Sequence, residues 1–417
     1  MTPRTFGIGI VGAGRVFEQH ARACLDLTPR ARLLAIAEIG ELQLRRATAR
    51  YFIPFAHRDY RSLLDRRDVD VVVVCTPPAS HERIVIDALA AGKFVVCEKP
   101  LAHSLEAVDR ILAAARSHPG RLGTVFQFRY LPEVRRTRWL LDRGDLGCPL
   151  FGRFSRYARF ESSTSAKRGK APKAAKERAD WWGRWAVAGG GIVMTQSIHD
   201  LDLMCHFFGT PTEVSALIDT LHEPIESEDS CVATVRFENG AVACCYGTMT
   251  AHRTTNAYDV IGTSASAHLP WALEATDRKR REQLLEAAVS AWPAPAASAE
   301  RGTLRSIFAS RLRLGGEGDR RPVTAHTPYL AAVLDAIEAE CPLPVRPEEA
   351  RASVELCTAI YTSGLTRRPV ALPLDSGSRY YRGLSPLDYE ARQTPGMRSH
   401  APDLAASAAA QISGAAG

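Results

Sequence analysis

Short, nearly continuous apolar runs alternate with longer amphipathic stretches through the first third of the chain. The runs at 6–11, 32–37, 69–75, 94–97 and 122–126 are apolar on both faces, the pattern of strands covered from two sides. Between them, 82–91 and 105–115 set Val85 with Leu89, and Val108 with Leu112, four residues apart, as one buried helical face requires. This strand and helix alternation predicts a doubly wound parallel sheet. After Arg129 the texture changes to a helix over 133–143, a turn at 144–149, and alternating runs that include 230–237 and 241–248. Glu238-Asn239-Gly240 between the last two predicts a hairpin, because Asn-Gly accepts the positive φ angles of a tight turn. A second domain on a largely antiparallel sheet follows. The Lys/Ala-rich stretch 162–178, the Ala/Gly/Arg-rich stretch 293–321 and the tail 401–417 lack an apolar period and read as weakly ordered.

Where the first strand turns into a helix the chain reads Gly12-Ala13-Gly14-Arg15-Val16-Phe17. Gly12 permits the sharp turn, and Gly14 lets a pyrophosphate approach the amides that open the helix. Glu38 ends the second strand, 24 residues after Gly14, where a carboxylate can accept both hydroxyls of an adenosine ribose. These features predict a dinucleotide site with Arg15 and Val16 at its helix start, although Phe17 replaces the third glycine of the usual fingerprint. A carboxylate at 38 would repel a 2′-phosphate, so NAD is the expected cofactor. NADP stays open because Arg15, Arg45 and Arg46 are cations near the turn.

Thr76-Pro77-Pro78-Ala79-Ser80-His81 lies at the carboxyl edge of the sheet, where such folds bind ligands. Thr76, Pro77 and His81 are candidate cofactor contacts; the plainer reading is a turn with Ser80 as N-cap and His81 at the surface. Glu98-Lys99-Pro100 ends the next strand. A Lys beside Glu is often a solvated pair, but facing a cofactor it can carry a proton or orient a hydroxyl. Further on, Gly189-Gly190-Gly191 precedes His199 and Asp202. His199, Asp202 and His206 share one helix face and could chelate a metal, but no general-base Glu lies between the histidines and the helix reads as buried, so no metal is expected. Trp181, Trp182 and Trp185 read as core or interface anchors.

Composition narrows the classes. A net charge of +7, from 53 Lys and Arg against 46 Asp and Glu, is mild, and the cations lack interleaved aromatic platforms, so nucleic acid is not an expected partner. No window approaches 18 consecutive apolar residues and no signal core precedes the first strand, so the expectation is a cytoplasmic chain without a membrane partner. Ten cysteines show no zinc-type pairing, and Cys75 and Cys97 read as buried, reduced thiols.

Taken together, Gly12-Ala-Gly-Arg, Thr76-Pro-Pro-Ala-Ser-His, the run ending Cys97-Glu-Lys-Pro, and Gly189-Gly-Gly with His199 and Asp202 resemble the glucose-fructose oxidoreductase and inositol dehydrogenase family, Gfo/Idh/MocA, over residues 6 to 374. The resemblance implies an α/β chain with an N-terminal NAD(P)-binding Rossmann domain at 1–128. It also implies a C-terminal α+β domain with a large, mostly antiparallel open sheet at 129–374, used for substrate binding and oligomerisation as a dimer or tetramer. Residues 375–417 are left as a C-terminal extension. The implied activity is oxidation of a sugar or cyclitol hydroxyl, or the reverse reduction, on a carbohydrate-like small molecule.

By the same resemblance Lys99 is the active-site lysine, contacting the reacting hydroxyl and the nicotinamide ribose, and Pro100 follows a cis peptide. Glu98 and Gln127 border the cofactor. Arg129, Tyr130 and His326 line the substrate side, and His199 is the catalytic histidine. Many polyol-oxidising members carry Asp four residues before that histidine; here Thr195 stands there. The relay is therefore expected to rest on Lys99 and His199, with Asp202 orienting the ring, and the substrate to shift toward nucleotide-linked or amino sugars. His199, whose ordinary pKa is near neutral, is expected to be the general base, with Lys99 polarising the oxygen. Two rival readings use the same residues: a glycoside hydrolase or eliminase that keeps NAD bound, and a non-catalytic nucleotide sensor.

Overall fold

Each apolar run near the N-terminus becomes a strand of one sheet in the computed structural model, which describes residues 4–159, 181–223, 225–292 and 325–390. The stretches 162–178, 293–321 and 401–417 lie outside the described residues. The strands are β1 (Phe6–Val11), β2 (Ala31–Ala37), β3 (Phe55–His57), β4 (Val71–Val74), β5 (Phe94–Glu98) and β6 (Leu122–Val125). All pair in parallel, in the order β3-β2-β1-β4-β5-β6. Every residue of β1 and β4 is buried, as both faces are covered by the crossover helices. These helices include α1 (Phe17–Asp26), α2 (Glu41–Tyr51), α3 (Tyr60–Leu64), α4 (His81–Ala90) and α5 (Leu105–Arg116). Strand order reverses direction between β1 and β4, and the crevice at the carboxyl ends there is where such sheets take ligands.

The second sheet contains β7 (Pro149–Arg159), β8 (Pro211–Asp219), β9 (Ser230–Phe237), β10 (Val242–Thr248), β11 (Thr250–Gly262), β12 (Ala265–Leu269), β13 (Ala272–Ala275) and β14 (Val370–Ala371). Its order is β13-β12-β11-β7-β10-β9-β8-β14, antiparallel except for β7 with β10. Burial alternates residue by residue along β9, so one face meets the core and the other is open. The hairpin between β9 and β10 forms where expected, but with different turn chemistry. Of its four linking residues only Gly240 takes a positive φ, 85°, while Asn239 Oδ1 accepts the amide of Ala241.

The longer helices of the second half are α6 (Pro132–Asp142), α7 (Ile198–Phe208), α8 (Arg278–Ala291), α9 (His326–Glu338) and α10 (Pro347–Thr366). The boundary expected at 128 is crossed again later in the chain. Helix α9 packs on α1, with Arg30 paired to Asp335 at 2.7 Å, and the Thr124 amide of β6 donates to the Val345 carbonyl at 3.0 Å. The start of the expected extension is also part of the fold: Tyr380, Tyr381 and Tyr389 are buried, and the Tyr381 hydroxyl bonds to both Arg351 and Asp109.

Candidate active site

At the cofactor end, Gly12 has φ 99°, and a Cβ there would stand 2.8 Å from the carbonyl oxygen of Cys75, so the turn out of β1 admits only glycine. At Gly14 nothing lies within 4 Å of where a Cβ would be, which leaves the mouth of α1 open to a diphosphate. Glu38 closes the other side, accepting the amides of Ala13 and Gly40 at 2.7 Å each. The open helix mouth and the carboxylate beside it fit an NAD dinucleotide. Phe17 turns its ring edge-on to Tyr51 of α2, 5.4 Å away. Its bulk thereby packs between helices.

The loop after β4 departs from expectation. Ser80 does not cap α4; its hydroxyl donates to the Pro77 carbonyl at 2.7 Å and lies 2.7 Å from Thr76 Oγ1. His81 is neither at the surface nor free for a cofactor: its ring bridges the carbonyls of Pro100 (3.0 Å) and Thr76 (2.8 Å), and burial holds its pKa down. It braces Thr76 and Pro77 against the strand end that carries Lys99.

At the chemical end, the peptide between Lys99 and Pro100 is cis. Lys99 Nζ donates to the backbone carbonyl of Thr195 at 2.8 Å, joining the two halves of the molecule. Burial pulls the Lys99 ammonium down to about 8; Arg156 and Arg15 push the same way, against Glu98 and Asp200. His199 lies on the first turn of α7, buried, stacked on Phe128 at 4.4 Å and edge-on to Phe126 at 6.0 Å. Burial, then Lys99 and Arg156, hold its pKa well below the ordinary value, so the ring is neutral. Gln127 is buried beside this aromatic wall at the end of β6.

Behind Lys99, Glu98 Oε1 meets His20 Nε2 at 2.8 Å and His326 Nε2 at 3.6 Å, and the two rings stand edge to face at 4.9 Å. Burial alone would raise the Glu98 carboxyl, but the His20 bond and the His326 ring outweigh it and keep it well below the usual range. His326, expected on the substrate side, stands beside this buried group, with neither ring nitrogen hydrogen-bonded within the described residues. Two further expectations are corrected. Asp202 does not orient His199; it pairs with Arg129 through two bonds of 2.7 and 2.9 Å, and Arg129 also holds Glu349. The guanidinium of Arg129 is consequently spent within the fold. Tyr130 turns onto Tyr329, with ring centroids 5.4 Å apart.

Several residues of the site escaped the sequence reading. Arg156 of β7 is buried against Asp200 (2.7 Å) and the Tyr258 hydroxyl (2.9 Å), with its guanidinium 5.3 Å from the Phe128 ring. Asp200 adjoins His199 in the chain, which was the available signal; Arg156 carried none. His20 and Phe128 were equally silent.

The model of the oxidoreductase family with an NAD-binding Rossmann fold, GFO_IDH_MocA, matches residues 6–126, and that of the GFO/IDH/MocA C-terminal domain matches 134–268. The chain belongs to the GFO/IDH/MocA family. Curated relatives include the oxidoreductase YrbE of Bacillus subtilis, 28% identical over 240 residues, which are 56% of this chain and 64% of YrbE. Myo-inositol 2-dehydrogenase of Thermotoga maritima is 28% identical over 240 residues, 56% of this chain and 66% of its own. The chain therefore spans just under two thirds of these relatives. Among solved structures, the WlbA dehydrogenase of Bordetella pertussis in complex with NADH and UDP-GlcNAcA superposes with a TM-score of 0.71 at 22% identity, covering 90% of this chain and 100% of WlbA. Levoglucosan dehydrogenase in complex with NADH gives 0.70 at 20% identity, over 89% and 100% of the two chains. At such identities the GFO/IDH/MocA likeness to these structures is one of fold. Among the described residues no helix is long and apolar enough to cross a membrane.

Proposed function

We propose that the protein is an NAD-dependent dehydrogenase or reductase that moves a hydride to or from the carbinol carbon of a sugar, nucleotide sugar, amino sugar or cyclitol. The observation that carries this reading is the meeting of Lys99 with the His199 segment at the carboxyl edge of the dinucleotide sheet, through the 2.8 Å bond to Thr195. NAD, when bound, supplies the hydride acceptor. The side chains handle the proton. A base works best with a pKa near the working pH, a condition Lys99 meets at about 8 and His199, held neutral far below, does not. The roles first expected are therefore exchanged here: Lys99 takes the hydroxyl proton during oxidation, and His199 holds the substrate oxygen as a neutral ring.

Thr195 supports a substrate other than inositol. Its hydroxyl is spent on the Gly191 carbonyl at 2.6 Å, so it cannot hold a histidine cationic as an aspartate would. A homo-oligomer is part of the proposal: Leu217 and Val232 pair across β8 and β9 and are exposed on the open face of the large sheet. The test is NADH formation from NAD with myo-inositol, levoglucosan and UDP-GlcNAcA as probes, repeated with NADP. Turnover of at least one probe, faster with NAD, is expected. Binding of NAD with turnover of none would overturn the reading in favour of a sensor.

A further inference from the structure

Glu228 immediately precedes Asp229 and strand β9, fully buried, and takes no part in the proton chemistry above. Its carboxylate accepts the amide of Gly191, at 3.0 and 3.1 Å to its two oxygens, and the amide of Val193 at 2.9 Å. Its backbone carbonyl accepts the amide of Ile192 at 3.1 Å. The hydroxyl of Tyr361, on α10, donates to Glu228 Oε1 at 3.0 Å and accepts the amide of Met194 at 3.2 Å. A helix leaves its first four amides without internal partners. Here the helical segment that leads into α7 begins at 191–192, and all four of those amides go to Glu228 and Tyr361. The first internal bond follows at once, from the Thr195 amide to the Gly191 carbonyl at 3.0 Å.

The glycine triplet makes this possible by close approach. A Cβ on Gly190 would lie 1.9 Å from the Tyr361 hydroxyl, one on Gly191 1.7 Å from the Glu228 carbonyl oxygen, and one on Gly189 2.5 Å from the carbonyl oxygen of His103, in the loop after Lys99. The segment is thus clamped between the lysine loop on one side and α10 on the other. It then runs through a wide π turn, Val193–Ser197, and the Thr195 carbonyl within that turn meets Lys99 Nζ.

We infer that Glu228 and Tyr361 are positioning residues for Lys99: by holding all four leading amides they fix the turn that presents the Thr195 carbonyl to the lysine ammonium. The hydrogen bond to that carbonyl favours the charged lysine, and losing it makes the proton easier to remove. Glu228→Gln puts an amide donor among backbone donors, and Tyr361→Phe removes the bridging hydroxyl while keeping the ring.

The test reads Lys99 directly, by competitive labelling of the whole protein with trace acetic anhydride across pH and mass spectrometry of the Lys99 peptide. Lys93, whose ammonium is held by the carbonyls of Arg66 and Val69, is the internal reference. The native Lys99 midpoint is expected near about 8. In both variants it is expected to fall by roughly 0.5 unit or more while NADH affinity, measured by fluorescence, stays within about twofold and Lys93 does not move. An unchanged Lys99 midpoint in both variants would overturn the assignment, as would loss of NADH binding in both, which would mark a general folding role. Lys99 as the working base belongs to the reading above. A Lys99 variant that oxidises a probe at an undiminished rate would refute that role without touching the labelling result.

Discussion

A lysine buried beside two arginines and tied to a peptide carbonyl is a different acid from one in water. If Lys99 takes the proton, the rate of oxidation depends on its neutral form, so kcat/KM is expected to rise with pH and level off above about 8, while reduction falls over the same interval. Lys99→Met is expected to lower kcat by roughly 10²- to 10⁴-fold and remove that pH dependence, with NAD binding intact by fluorescence titration. Glu38→Ala removes the carboxylate that spans the glycine turn. It should raise KM for NAD by roughly tenfold, about 1.4 kcal/mol, and narrow the ratio of NAD to NADP efficiency in parallel assays. Residues such as Gly12, Glu38 and Lys99 were legible because each sits at a strand end whose turn is local. The pairing of Arg156 with Asp200, or of His20 with Glu98, is set by how strands and helices are laid side by side, which leaves no mark in the neighbouring sequence. His81 was misread for a related reason: a histidine after a turn resembles a surface residue until the strand end behind it is in place.

At the scale of elements, β1, β4, α4 and α5 lie within two residues of their expected bounds, because two-sided burial and four-residue spacing write strong patterns. No such pattern marked α2, in which only Leu44 and Ala47 are buried, or the three exposed or half-exposed residues of β3. The glycine triplet was visible as a motif but its purpose was not, since Tyr361 and Glu228 approach it from distant parts of the chain. Gly190→Ala should force the Tyr361 hydroxyl away from a site 1.9 Å from the new methyl. Overpacking of that kind costs roughly 1–3 kcal/mol, expected as a lowered Tm together with a loss of turnover larger than the loss of NAD affinity.

For the whole molecule, the division into a parallel and a mostly antiparallel sheet was readable from texture alone, whereas the return of α9 to α1 was not. Contacts such as Arg30 with Asp335 join residues 305 apart and impose no period on either segment. The stretch after 374 was set aside as an appendage, yet its tyrosines are buried. Each such side chain contributes roughly 1.5–3 kcal/mol, so a chain ending at 374 is expected to melt several degrees lower in a thermal-shift measurement, with or without NAD. The return also governs motion. Two bodies joined by one linker can open like a hinge, but here the chain crosses the boundary near 128, comes back with α9, and stays against the first half beyond Val345, where Arg351 of α10 and Tyr381 hold Asp109 of α5. Opening the cleft widely would break the Thr124 to Val345 bond and the Arg30 pairs together. On the proposed reading, substrate should therefore enter by small sliding displacements, and selection among substrates falls to the side chains at the rim, since a closing stroke has little room to operate.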